Sequence, residues 1–253
     1  MIKSYFVDGD KGGVGKSFAT RCVVDSFLNH EVTSMPKIDK LIIIDADPMN
    51  PDVVCENGYT NEIVKEVQII ALQRPIKSED DWLNVVNELA ETQINETDEI
   101  RIIFSLPSAA GLYITEPVLD LMALINPFSI WVMGIDASST DQLTKRIDKN
   151  PFFYQKGIVL VNLKHGQAKS FESWNNSEIK NRLINDGGFE WAEVELPAMM
   201  PRAAELVKSM PLHFVVEKGS QLGSGVAIGT RTVAQNYRGV AGRKFTILES
   251  KSE

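Results

Sequence analysis

Short apolar runs recur along the chain at Tyr5-Phe6-Val7, Leu41–Ile44, Ile100–Phe104, Ile130–Met133, Ile158–Val161 and Val194–Leu196. Runs of this length, rich in Val and Ile, predict strands buried on both faces, and helix-like stretches between most of them supply the crossovers of a parallel sheet covered on both sides. Between Ser78 and Thr92, the residues Trp82, Val85, Val86, Leu89 and Ala90 share one helical face, with Ser78 and Asp81 placed as a capping pair. Further helices are predicted from Ser17 to about Leu28, within the apolar run Tyr113–Asn126, and from about Val226 to Val240. Another begins near Asp136, Ser138 and Ser139, whose side chains read as caps. There is no internal repeat and no low-complexity segment.

Composition narrows the class. A chain of 253 residues forms one large α/β domain or two small ones, and buries about 70–75% of its unfolded surface without needing disulfides or metal. Cys22 and Cys55 have no metal-ligand spacing, and Met1-Ile2-Lys3-Ser4 leads directly into a strand with no apolar leader. A reduced, cytoplasmic protein without a membrane span is expected. The net charge of −8 argues against a uniformly basic nucleic-acid binder. From Met200 to Glu253, however, eight Lys or Arg stand against four Asp or Glu, so this end is +4 and the remainder −12. That asymmetry is either a local anion-binding face or ordinary solvated side chains.

The chemistry concentrates in Gly9-Asp10-Lys11-Gly12-Gly13-Val14-Gly15-Lys16-Ser17, between the first strand and the first helix. Glycines let consecutive backbone N–H groups turn around an anion, and the helix start adds about half a positive charge. Lys16 is placed to reach β- and γ-phosphates, and Ser17 to present a hydroxyl to Mg²⁺. The pattern G-x-x-x-x-G-K-[ST] wants glycine where this chain has Asp10.

With its second lysine, Lys11-Gly12-Gly13-Val14-Gly15-Lys16-Ser17 resembles the deviant Walker A motif of the ParA/MinD family of P-loop ATPases, within the SIMIBI class. The order of later motifs extends the resemblance over most of the chain. Asp45-Ala46-Asp47-Pro48 is similar to the switch I region, where the second aspartate helps position the metal's water shell and the attacking water. The strand Ile100–Phe104 leads into Ser105-Leu106-Pro107, where the family has Asp-x-Pro, so Ser105 stands at the Walker B position. Ile158–Val161 ends in Asn162, matching the family's asparagine that pairs with adenine; His165 reads as a surface residue. Pro197 and Ala198 match the loop that closes over the nucleoside.

The resemblance implies a doubly wound, mostly parallel sheet with helices on both faces, the P-loop NTPase fold, in one domain spanning 1–253. It implies ATP or ADP with Mg²⁺, held by Asp10, Gly12, Gly13, Val14, Gly15, Lys16, Ser17 and Phe18, with Asn162, Pro197 and Ala198 at the base. Ser17 and Asp47 would serve the metal; Lys11, Lys16 and Asp47 the reaction, Lys11 acting across a dimer of identical subunits. It further implies a switch in plasmid or chromosome partition or conjugative DNA transfer, with a DNA-binding or transfer-system protein as partner. The basic C-terminal end, including Arg231, Arg238, Arg243 and Lys244, would contact DNA phosphates without reading sequence. Two alternatives remain: a small-molecule ATP-dependent synthase or ligase, against which Lys11 counts, and a non-hydrolysing nucleotide-binding adaptor, which Ser105 favours. Neither cysteine suits an iron–sulfur relative. The tail Arg243–Leu248 is too short and weakly patterned for a MinD-type membrane anchor.

Overall fold

The computed structural model describes residues 1–91, 98–108, 110–208, 210–217 and 228–250. Thr92, Val226 and Ala227, which fall in stretches discussed above, lie outside the described residues, and the side chain of Ala90 is likewise not described. Eight strands form a single sheet: β1 (Ile2–Asp8), β2 (Lys40–Asp45), β3 (Glu62–Val64), β4 (Val67–Gln73), β5 (Ile100–Ser105), β6 (Pro127–Met133), β7 (Lys156–Asn162) and β8 (Glu190–Leu196). Their order is β3-β4-β2-β5-β1-β6-β7-β8, and every pairing is parallel except the β3–β4 hairpin. This is the mostly parallel, doubly wound α/β sheet expected, and it contains all six apolar runs as strands.

Alternation along each strand sends side chains into two cores. Tyr5, Val7, Leu41, Ile43, Ile130 and Leu160 pack with the helix Lys16–Leu28 and the C-terminal helix Ile228–Lys244. Phe6, Ile42, Ile44, Phe104, Trp131 and Val159 pack on the other face, with the helices Glu79–Glu91, Glu116–Ala123 and Ala137–Lys149. The Glu79–Glu91 helix follows the reading given: Trp82, Val85, Val86 and Leu89 are buried, Ser78 Oγ accepts from the Asp81 N–H at 3.2 Å, and Asp81 Oδ2 accepts from the Lys77 N–H at 2.8 Å.

The connections leaving the neighbouring strands β1 and β5 pass to opposite faces, which opens a crevice at the carboxyl end of the central strands. In open α/β sheets that is where ligands bind. β3 and β4 are absent from the apolar runs read above. Their turn is made by Lys65 and Glu66, both left-handed at φ 48° and 70°, a two-residue hairpin without the Asn-Gly or Asp-Gly that usually announces one.

The end of the chain is part of the body. Phe245 and Leu248 are buried in the core, and Arg238 is 2% exposed, its Nε donating to Asp25 Oδ2 at 2.9 Å and its Nη1 to Glu217 Oε1 at 3.4 Å. The placement of Arg238 on a DNA-binding face is therefore corrected: its charge is spent on two carboxylates, Asp25 on the first helix and Glu217 on the helix Leu212–Glu217, which tie the last long helix to both. Arg243 and Lys244 are exposed. Among the described residues no helix is long and apolar enough to cross a membrane.

Candidate functional site

The loop Gly9–Gly15 leaves the carboxyl end of β1 and runs straight into the helix Lys16–Leu28. Gly13 and Gly15 have φ of 87° and 103°, where a side chain would be strained. Gly15 is the helix N-cap, and having no side chain it leaves the first-turn amides for an anion. A Cβ on Gly15 would also run into the amide of Asn162.

That asparagine, fully buried at the end of β7, supports the loop. Its Nδ2 donates to the Val14 carbonyl at 3.2 Å, and its Oδ1 accepts from the Lys164 N–H at 3.1 Å. His165 Nε2 lies 3.1 Å from the same Val14 oxygen, so this residue, read as a surface histidine, is half-buried against the phosphate loop.

On its other side the loop is tied to the helix Ala137–Lys149. Lys11 pairs with Asp136, Ser138 Oγ donates to Asp10 Oδ2 at 3.0 Å, and Ser139 Oγ accepts from the Gly134 N–H at 2.9 Å. The Asp136 side chain makes no cap hydrogen bond. The capping role assigned to these side chains is thus corrected: Asp136 and Ser138 fasten the Gly9–Gly15 loop, and Ser139 fastens the residue after β6, contacts that local pattern reading passes over.

Lys16 is half-buried, and its Nζ donates to the Lys11 carbonyl at 2.9 Å. Burial pulls its pKa down, against the opposing pull of Asp8, Asp47, Asp10 and Asp52. The ammonium therefore lies inside the loop with carboxylates around it, positioned for a more strongly charged anion.

Asp45 and Ser105 are register partners on adjacent strands, both buried beside the loop. Asp45 is fully engaged: Oδ2 accepts from Val53 and Val54 N–H at 2.8 and 3.1 Å, and Oδ1 from Asp47 N–H at 3.3 Å. It anchors the 46–54 loop, although burial still pushes its carboxyl pKa up. Asp47 Oδ1 accepts from Met49 and Asn50 N–H at 2.8 and 3.1 Å, holding a turn while its charge still reaches Lys16.

Among the described residues no group of three or more His, Cys, Asp or Glu is placed to hold a metal ion by itself. A divalent cation here would need phosphate oxygens beside Ser17 and Asp47. That fits Mg²⁺, which binds through one or two carboxylates, water and substrate phosphates.

At the far side Phe18 packs on Tyr237, ring centroids 5.8 Å apart, and the Tyr237 hydroxyl donates to the Pro197 carbonyl at 2.9 Å. Pro197 and exposed Ala198 are thereby held beside the start of the first helix. Tyr237 carries no motif that would have singled it out.

A glycine loop on the central strand of a doubly wound parallel sheet, opening onto a helix N-terminus at the crevice, defines the fold class of the MinD- and ParA-type P-loop ATPases. The comparisons agree on the fold. The chain superposes on a Borrelia burgdorferi protein assigned to plasmid partition and bound to AMPPNP, with a TM-score of 0.52, 12% identity and coverage of 99% of this chain and 100% of that one. It superposes on the cell division ATPase MinD of Pyrococcus furiosus with a TM-score of 0.51, 10% identity and coverage of 95% and 98%. In sequence it is similar to Protein MobD of Acidithiobacillus ferrooxidans, 26% identical over 224 residues, 85% of this chain and 87% of the relative. No protein-family model matches.

Proposed function

We propose that this chain is a single nucleotide-binding domain that acts as an ATP-dependent dimerisation switch of the ParA type, serving plasmid or chromosome partition or conjugative DNA transfer. One observation carries the reading: a single loop holds two lysines in opposite settings. Lys16 is half-buried among carboxylates at the helix start, where phosphates would lie, while Lys11 is exposed and pairs with Asp136 at the surface. The Lys11–Asp136 pair lies at the surface, where solvent screens it, so Lys11 can leave Asp136 for a phosphate presented by a second copy at little cost.

In this reading the loop from Asp10 to Phe18 cradles the phosphates of ATP or ADP. Ser17 and Asp47 hold Mg²⁺, which would shield the phosphate charge. The base lies toward Pro197 and Ala198. The Asn162 amide already spends one donor on Val14 and one acceptor site on Lys164, so its first role is to carry the loop. Non-specific contact with DNA phosphates falls to exposed Arg243 and Lys244.

Light scattering coupled to size exclusion, in the apo, ADP and ATP states with and without DNA, tests the switch. Lys11→Ala is expected to keep ATP affinity within about threefold while removing the ATP-induced dimer; a dimer that persists in the variant would sink the assignment of Lys11.

Ser105 favours a second reading, a nucleotide-binding adaptor that barely turns over. A neutral hydroxyl buried next to Asp45 offers a metal-bound water a hydrogen bond but does not offset the cation's charge. Ser105→Asp would place two buried carboxyl groups side by side, which cannot both stay ionised without a cation between them. It is expected to be destabilised without Mg²⁺, and with nucleotide to bind Mg²⁺ about tenfold tighter or turn over faster. Unchanged Mg²⁺ affinity and turnover in a folded variant would count against placing residue 105 at the metal.

A further inference from the structure

Beyond the end of β7 the chain makes one tight 3₁₀ turn, Leu163–His165, opened by the Asn162 side chain, which accepts from the Lys164 N–H at 3.1 Å. In such a turn, residues three apart lie nearly one above the other, so Asn162 and His165 point the same way. The Gly166 N–H closes the turn on the Leu163 carbonyl at 3.3 Å, and Gly166 leads the chain off at φ 154° and ψ 179°, a conformation that glycine adopts readily and other residues do not. Two side chains thus meet one atom of the phosphate loop. The Val14 carbonyl oxygen lies 3.2 Å from Asn162 Nδ2 and 3.1 Å from His165 Nε2.

That oxygen has two lone pairs and no proton to give. His165 must therefore be the donor, which puts a proton on Nε2 and makes the neutral ring the Nε2–H tautomer. The other neutral tautomer would set a nitrogen lone pair against the oxygen.

The two donors hold a peptide unit that would otherwise turn over easily. The Val14 side chain is fixed: it is 4% exposed and packs beside Gly9 and Gly134, where an added Cβ would come within 3.1 and 3.3 Å of its methyl groups. Gly15 follows, and glycine takes either sign of φ at little cost, so the 14–15 peptide can flip without moving either neighbour. This peptide is trans, and its C=O and N–H point in opposite directions. With the carbonyl held toward the end of β7, the Gly15 N–H is turned away from β7, into the loop. No described residue accepts from it. A flipped peptide would present an oxygen to the phosphates instead.

We infer that His165 is a positioning residue for the phosphate loop: together with Asn162 it holds the Val14 carbonyl outward and so keeps the Gly15 N–H turned toward the ligand. This inference rests on the nucleotide reading of the loop, and adds to it a side chain that no motif marks. Of the two donors His165 is the one that can be replaced with least disturbance, because Asn162 is fully buried and His165 only half-buried.

The test follows the Gly15 amide and the His165 ring nitrogens by nuclear magnetic resonance, and measures equilibrium binding of fluorescent ADP and ATPγS analogues with Mg²⁺. It compares wild type, His165→Leu and His165→Gln, with urea melts as a check on folding. In wild type the neutral ring is expected as the Nε2–H tautomer, and the Gly15 amide proton should move downfield when ADP is added. Losing one of the two donors in His165→Leu should weaken both nucleotides about fivefold, the size of one hydrogen bond, and shrink the Gly15 shift. Glutamine carries an amide donor where Nε2 lies, so His165→Gln should bring affinity back to within about twofold of wild type, and the Gly15 shift with it. A side chain that merely packed against the loop would change the urea midpoint and leave the Gly15 shift and both affinities alone. Unchanged affinity in a folded His165→Leu, a glutamine variant no better than the leucine one, or an Nδ1–H ring in wild type would overturn the inference, and the last of these needs no variant to fold. A wild type that binds neither analogue overturns the nucleotide reading and this inference with it.

Discussion

Lys16→Ala is expected to weaken ATP and ADP binding by at least about a hundredfold while leaving a folded protein. In the ligand-free loop the Lys16 ammonium donates to the Lys11 carbonyl at 2.9 Å and attracts Asp8, Asp47, Asp10 and Asp52. A phosphate chain carries more charge than any one of these and can be approached by the loop amides at the same time. Hydrogen bonds to charged groups contribute about 1.5–3 kcal/mol each, and losing one or two of them amounts to anything from roughly tenfold to above ten-thousandfold in affinity. The variant also leaves the surrounding carboxylates facing an incoming phosphate with one cation fewer, which adds repulsion to the lost attraction. The fold should survive, because Asp45 and Asp47 are satisfied by backbone N–H groups that do not involve Lys16. Isothermal titration or a fluorescent nucleotide reads the loss, and circular dichroism reads the fold. A folded variant that keeps wild-type affinity would reject this loop as the phosphate site.

The features legible in the sequence are those whose cause is local. The six apolar runs became strands because a two-faced buried strand needs consecutive apolar residues, and Gly13 and Gly15 announce a loop because no other residue sits comfortably at their positive φ. What escaped is non-local. Asp136, Ser138 and Ser139 look like helix caps because Ser and Asp at a helix start usually are, yet Asp136 meets Lys11 across 125 residues and Ser138 meets Asp10 across 128. Arg238 looked like part of a basic face because nothing beside it is acidic, while its partner Asp25 lies 213 positions earlier inside the first helix. β3 and β4 escaped differently: Val67, Ile69 and Ile70 carry a strand signal, but the turn before them has lysine and glutamate where glycine or asparagine would have marked a hairpin. The order of the site motifs along the chain was readable; which side chains hold the loop in place was set by tertiary contacts.

At the opposite end of the sheet, Glu249→Gln is expected to cost about 3–5 kcal/mol of stability at neutral pH. Glu249 joins the last short helix to two strands: it accepts from Lys3 Nζ at 2.9 Å, from the Tyr5 hydroxyl at 2.6 Å, and from Arg101 Nε and Nη2 at 2.7 and 3.2 Å. Arg101 is 1% exposed and Lys3 4%, so removing the carboxylate leaves buried positive charge under-compensated, the case in which breaking an ion pair is expensive. Arg101 keeps one bond to Glu99 at 3.0 Å, which softens the loss. Burial pushes the Glu249 pKa up, but the hydrogen bonds from Arg101, Tyr5 and Lys3 and the Arg101 charge outweigh it, so the folded value lies below the ordinary one. The stabilisation is therefore fully present above the unfolded glutamate pKa of about 4.3, and is lost as pH falls through the lower folded value. Urea unfolding should show a constant gap between wild type and Glu249→Gln from about pH 5 to 8, closing at lower pH as the wild-type carboxylate protonates. Because β1 and β5 carry Lys3, Tyr5 and Arg101 toward their amino ends, and the phosphate loop leaves the carboxyl end of β1, nucleotide affinity should be unchanged in the variant while it remains folded. A gap under 1 kcal/mol at pH 7, or one that persists undiminished at pH 3, would show that Glu249 does not carry this stabilisation as a charged partner.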